Sequence, residues 1–172
     1  MEANREYFRA VSVFTNYEIS SVGRVRNSCT GRIMKLRARK DGYLDVSLAK
    51  NGTKKRLLVH RLVADAFLEN PVGKLTVDHI DSNRGNNNWE NLRPATCAEN
   101  NRNRCKRANA SSSYYGVSWV KKREKWTAQI SINGTVVNLG SFSEEKEAAA
   151  VFNTAAIEHY GVFAKLNDLT GV

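Results

Sequence analysis

The stretch "TVDHIDSNRGNNNWENLRPATCAEN", residues 76–100, constrains the chain most. It holds one histidine, four carboxylates and a crowd of asparagines, a composition unsuited to a packed core. Yet Val77, Ile80, Trp89 and Leu92 are spaced through it as a folded segment requires. The pattern predicts a strand over 75–80, a long polar loop over 81–90 and a returning strand over 91–95. Thr96 followed three residues later by Glu99 is a capping box, so a helix starts there with Asn100 in its first turn. Strand, loop, strand and helix then bring Asp78 and His79 toward Asn100.

Those residue types suit one chemistry. A carboxylate and an amide oxygen suit a hard divalent cation such as Mg²⁺ or Mn²⁺. A histidine, titrating near neutrality, suits a general base. Adjacent strand residues point to opposite faces, so Asp78 can face an ion while His79 faces water.

The formal charge of +10 is unevenly distributed. Residues 1–60 carry 13 basic and 5 acidic groups, and residues 101–125 carry 8 and 1. Residues 61–100 carry 4 and 6, and residues 126–172 carry 2 and 5. Two basic blocks therefore flank a slightly acidic centre, an arrangement that favours a polyanion such as double-stranded DNA. The longest apolar run, 148–152, is far shorter than a membrane span, and the polar start "MEANREYF" is unlike a secretory signal. Three scattered cysteines make neither a disulfide framework nor a four-ligand zinc site. The expectation is an intracellular protein, in cytoplasm or nucleoid, with no membrane partner.

The rest of the chain reads as an α+β, modular fold. Residues 1–58 form a β-rich module, with a hairpin turning at Asn51-Gly52. "HRLVADAFL" is a short helix with Leu62, Val63, Ala66 and Phe67 on one face. Residues 59–107 hold the central motif, and the small polar run 108–113 is a linker. Residues 114–172 predict three strands, with a second turn at Asn133-Gly134, then a helix capped by Ser143 and stopped by Gly161. On the middle strand Trp126, Ala128, Ile130 and Ile132 face that helix, while Thr127, Gln129 and Ser131 face outward. The outward face, beside "KKREK", is either a DNA reader or a plain solvent face. His60 reads as a packing or capping residue, with a phosphate contact as the alternative. Cys97 and Cys105 read as small buried residues, and Trp89 as packing under the loop or touching DNA.

"DHI" at 78–80, "ENL" with Asn91 and "EN" with Asn100 together resemble the H-N-N form of the HNH nuclease motif. The resemblance implies a ββα-metal finger in which His79 activates water and Asp78 and Asn100 hold one Mg²⁺ or Mn²⁺. It implies that Asn91 braces the loop. The N-terminal segment is similar to the β-rich module ahead of HNH motifs in phage and intron-encoded endonucleases. The C-terminal frame "YGV", "KW", "LGSF", "EEKEAA" and "YG" resembles the DNA-binding domain of plant ethylene-response factors, three antiparallel strands packed on one helix. At Ser118, Gln129, Ser131 and Asn138 the plant domain usually has Arg, Glu or Trp, so only sheet-face binding carries over. Expected DNA contacts are Arg102, Arg104, Lys106, Arg107, Ser118, Lys121, Lys122, Arg123, Gln129, Ser131 and Asn138. The implied activity is homing-type endonucleolytic nicking, one active centre per chain, by a monomer. The rivals are a non-catalytic DNA-binding regulator and a sequence-tolerant degradative nuclease.

Overall fold

Two Asn-Gly pairs set the two longest hairpins. Asn51 and Gly52 have φ of 50° and 76°, and Asn133 and Gly134 have 51° and 85°, left-handed values that suit tight turns between twisted strands. The computed structural model describes residues 5–70, 72–103 and 111–170. The chain forms two compact units, residues 1–100 and 101–172.

In the first unit, β1 (Phe8–Ala10), β2 (Tyr17–Ser20) and β3 (Val25–Asn27) form one antiparallel sheet in sequence order. A second contains β4 (Arg37–Ala38), β5 (Leu44–Lys50) and β6 (Thr53–Leu58). Helix α1 (Val59–Phe67) follows β6 directly. Then come the pair β7 (Thr76–His79) and β8 (Leu92–Ala95), with a short 3₁₀ turn at Trp89–Asn91, and helix α2 (Cys97–Arg102), whose last two residues belong to the second unit. One apolar core joins these pieces: Val11, Phe14, Ile19 and Val25 meet Val46 and Leu48, α1 contributes Val59, Leu62 and Val63, and β8 contributes Leu92. The boundary expected at residue 58 therefore runs through a shared core. The short strands of the β-rich segment and the hairpin bury their apolar faces on the same helix, and each alone would have little core of its own.

In the second unit, β9 (Val117–Val120), β10 (Lys125–Ile132) and β11 (Thr135–Phe142) form an antiparallel sheet with β10 in the middle. Helix α3 (Glu145–Tyr160) packs on it through Ala148, Ala149, Phe152, Ala155 and Ala156. Gly116, at φ 70°, is what admits this close approach: a Cβ there would lie 2.0 Å from the Phe152 ring.

Three local expectations need correction. The N-cap of α3 is Glu144, not Ser143, and no side chain caps the helix; the Ser143 hydroxyl accepts from Lys125 Nζ instead, at 3.2 Å. Thr127 is buried rather than outward, and its hydroxyl has no partner among the described residues. The register beside it shifts between Ala128 and Gln129, where β11 carries an extra residue, Leu139, that packs inward. Third, the run expected as linker is partly structured: Ser112 is buried and bonds the Tyr114 N–H at 2.9 Å, while Ser111 accepts from the Trp119 N–H at 3.1 Å. Residues 108–110 lie outside the described residues.

Candidate active site

The site is built on the β7–β8 hairpin, whose register sets Asp78 opposite Arg93 and His79 opposite Leu92. Asp78 and His79 are both buried and serve opposite faces of the strand. On one face Arg93 donates to Asp78 Oδ2 from Nε at 2.8 Å and from Nη2 at 2.7 Å. On the other the His79 ring meets His60 at 5.1 Å and Tyr43 at 5.9 Å between centroids, and Tyr43 meets His60 at 4.8 Å.

The loop between the strands is held by its own polar side chains, which explains its asparagine content. Asp81 accepts from the Asn83 N–H, from Asn86 Nδ2 at 2.8 Å and from Asn91 Nδ2 at 2.9 Å. Asn91 also accepts from the Asp81 N–H at 3.1 Å and donates to the Asn86 carbonyl at 2.9 Å. Its own carbonyl takes the Ile80 N–H at 2.9 Å. Burial pushes the Asp81 carboxyl upward, but the amides of Asn86 and Asn91 and the Asn83 N–H outweigh it and hold the pKa below its usual value. The loop is anchored from outside as well. Trp89 donates its N–H to the Ser21 carbonyl at 2.8 Å, and Gly23 lies so near that a Cβ would come within 2.9 Å of Asn87 Cβ.

Asn87, itself buried, sets its Oδ1 3.5 Å from His79 Nε2. An acceptor there favours the tautomer with hydrogen on Nε2 and the lone pair on Nδ1. Burial lowers the His79 pKa first; Asn87, Asp81 and Asp78 pull it back upward, and the net shift is downward. His79 is therefore neutral at neutral pH, the protonation state a base requires.

Asn100 lies in α2, half-buried, with its N–H on the Thr96 carbonyl. The capping box is formed in full: the Thr96 N–H reaches Glu99 Oε2 at 2.7 Å, and the Glu99 N–H reaches Thr96 Oγ1 at 3.2 Å. Lys74 adds a contact to Glu99 at 2.9 Å. Asp78 and Asn100 offer one carboxylate and one amide oxygen, a donor set that fits a hard ion completing its shell with water or phosphate oxygen. No group of three His, Cys, Asp or Glu side chains able to hold a metal exists among the described residues.

Of the expected DNA contacts, Lys121, Lys122 and Arg123 are exposed at the β9–β10 turn, as are Gln129, Ser131 and Asn138 on the sheet. Ser118 is half-buried. Arg102 stacks on the Tyr160 ring at 4.4 Å. Arg104, Lys106 and Arg107 lie outside the described residues, as does Cys105, while Cys97 is exposed rather than buried. Sequence reasoning missed Arg93, Asp81, Asn87 and Tyr43 and read His60 as a packing or capping residue or a phosphate contact. Of these, Arg93 was within reach, since a hairpin pairing Thr76 with Ala95 sets it across from Asp78.

A buried histidine beside a buried carboxylate, on a hairpin that leads into a capped helix, is the ββα arrangement that the HNH resemblance implies. The model of HNH endonucleases matches residues 57–102, and the NUMOD4 motif matches residues 6–49. The uncharacterized HNH endonuclease L245 of Acanthamoeba polyphaga mimivirus is 48% identical over 85 residues, 49% of this chain and 26% of that protein. The DNA endonuclease I-HmuI of Bacillus phage SP01 is 39% identical over 98 residues, 57% of this chain and 56% of that protein. The solved structure described as DNA binding and cleavage by the HNH homing endonuclease I-HmuI superposes with a TM-score of 0.54 at 27% identity, covering 91% of this chain and 92% of that one. By sequence, the chain spans less than two thirds of the length of these two curated relatives. The chain thus contains an HNH endonuclease domain over residues 57–102 and a NUMOD4 motif over residues 6–49.

Proposed function

We propose that this protein is a homing-type DNA endonuclease that hydrolyses one phosphodiester bond of a duplex and so nicks one strand as a monomer. The observation that carries the reading is His79: a buried, neutral imidazole on a braced hairpin, one residue from a buried carboxylate. His79 takes a proton from water as the water oxygen attacks phosphorus, the bond to the 3′ oxygen breaks, and that oxygen takes a proton from solvent water, leaving 5′-phosphate and 3′-hydroxyl ends. Asn91 holds the loop that orients His79. Asp78 and Asn100 would hold a single Mg²⁺ or Mn²⁺, which when bound supplies positive charge where negative charge builds on the phosphate. Recognition falls to the exposed face with Gln129, Ser131 and Asn138 and to the lysine-rich turn beside it, inside the cell where DNA is met.

Incubating the protein with supercoiled plasmid carrying a random-site library tests this, with and without Mg²⁺ or Mn²⁺. Open circles that form only with metal, with ends that map to one site, support the reading. Specific binding with no nicking under any metal would make the protein a regulator, and nicks scattered over competitor DNA would make it a degradative nuclease.

A further inference from the structure

The first-unit core contains an imidazole that the proposed reaction leaves unused. His60 is the second residue of α1 and is buried, and neither of its ring nitrogens has a hydrogen bond among the described residues; Nδ1 is wholly shielded. A buried polar atom without a partner is costly, and a phenylalanine or leucine would fill the same place without that cost. What surrounds the ring is the candidate site itself: His79 at 68° to its plane, and Tyr43 lying against both rings. Burial, the neighbouring His79 and Arg61 together push the His60 pKa down to about 4, so the ring is neutral at neutral pH.

We propose that His60 is a positioning residue for His79: its ring fixes the plane of the base, and its nitrogens give His79 a fixed polar neighbour when it takes up a proton. A neutral imidazole offers a dipole and a lone pair at constant orientation, the kind of preset polarity that stabilises a charge appearing only during reaction. Tyr43 closes the arrangement from the β4–β5 connection and is covered in turn by Arg84, whose guanidinium lies 4.8 Å over its ring and bonds the Asp41 carbonyl at 2.8 Å. The loop that follows the base and the connection that carries Tyr43 are thus latched together beside His60.

This inference rests on the reading of His79 as base, and the test separates the two. Single-turnover nicking, DNA affinity and thermal melting are compared for the wild-type chain and for His60→Phe and His60→Ala. Absence of nicking by the wild type would remove the proposed function and with it this inference. Given wild-type nicking, His60→Phe is expected to melt at or above the wild-type temperature and to bind DNA within about twofold, yet to nick 10- to 100-fold more slowly, the scale expected when a reacting group is misplaced. His60→Ala should lose activity similarly and regain part of it in added imidazole. Wild-type nicking by His60→Phe would overturn the inference and leave His60 as core packing. A rate lost only in proportion to affinity or melting temperature would overturn it equally.

Discussion

At the scale of single residues, the site depends on which polar groups are paired. Asp78 is pinned by Arg93, Asp81 by Asn83, Asn86 and Asn91, whereas His60 meets the rings of Tyr43 and His79 and its Nδ1 has no hydrogen bond among the described residues. This makes His60 an acid-sensitive point. Its pKa is lowered in the fold to about 4 from an ordinary 6.5, so between those values the unfolded chain binds a proton that the folded chain refuses. The stabilising contribution is complete above about pH 6.5 and is lost as pH falls toward 4. Between pH 7 and 5 the wild-type chain should lose roughly 2 kcal/mol more stability than His60→Phe, from 1.36 kcal/mol per pH unit. Denaturant melts at the two pH values check this, and equal losses would contradict it. Arg93→Ala should cost roughly 3–5 kcal/mol in the same melts, because it leaves Asp78 buried without its ion pair. A loss under about 1 kcal/mol would show that Asp78 relaxes to solvent.

At the scale of elements, local signals were legible and long-range ones were not. The two Asn-Gly turns, the Thr96–Glu99 box and the Gly161 stop each depend on residues within four positions, and each formed as the sequence implied. Ser143 misled because a lysine took the serine hydroxyl, and Thr127 because strand alternation alone does not tell which outward position is covered. The packing of Tyr43 and His60 on His79, and of Gly23 on Asn87, joins segments far apart in sequence, with no periodicity to reveal it. The approach of Gly23 to Asn87 gives a prediction for the loop. Gly23 has φ 90°, and a Cβ would meet Asn87 at 2.9 Å and Val59 Cγ1 at 3.2 Å. Gly23→Ala should cost about 1–3 kcal/mol through backbone strain. It should also slow nicking beyond what the melting temperature explains, because Asn87 is displaced from His79. Unchanged nicking would mean that the loop holds its shape without the β2–β3 turn.

At the scale of the whole molecule, two basic blocks lie on either side of the acidic-leaning centre in sequence, and the second includes the exposed Lys121, Lys122 and Arg123. Every DNA phosphate that a side chain no longer neutralises lowers the salt slope of binding by about 0.9. Replacing all three by glutamine should therefore reduce the slope by about 1 to 3 and weaken binding, while the nicking rate at saturating protein stays near wild type. An unchanged slope would move phosphate binding to the N-terminal sheets. The charge pattern and the HNH resemblance made the class of molecule legible, whereas the core shared by the β-rich segment and the hairpin was hidden because it assembles from short strands far apart in sequence, such as those carrying Ile19 and Leu92.

The proposed reaction turns on His79. Single-turnover cleavage of an end-labelled duplex, run beside a binding titration on the same duplex, measures its part directly. His79→Ala is expected to bind with an affinity within about twofold of wild type and to produce no cut strand above background. Cutting by that variant at the wild-type rate would mean that another group, or none, takes the proton from water.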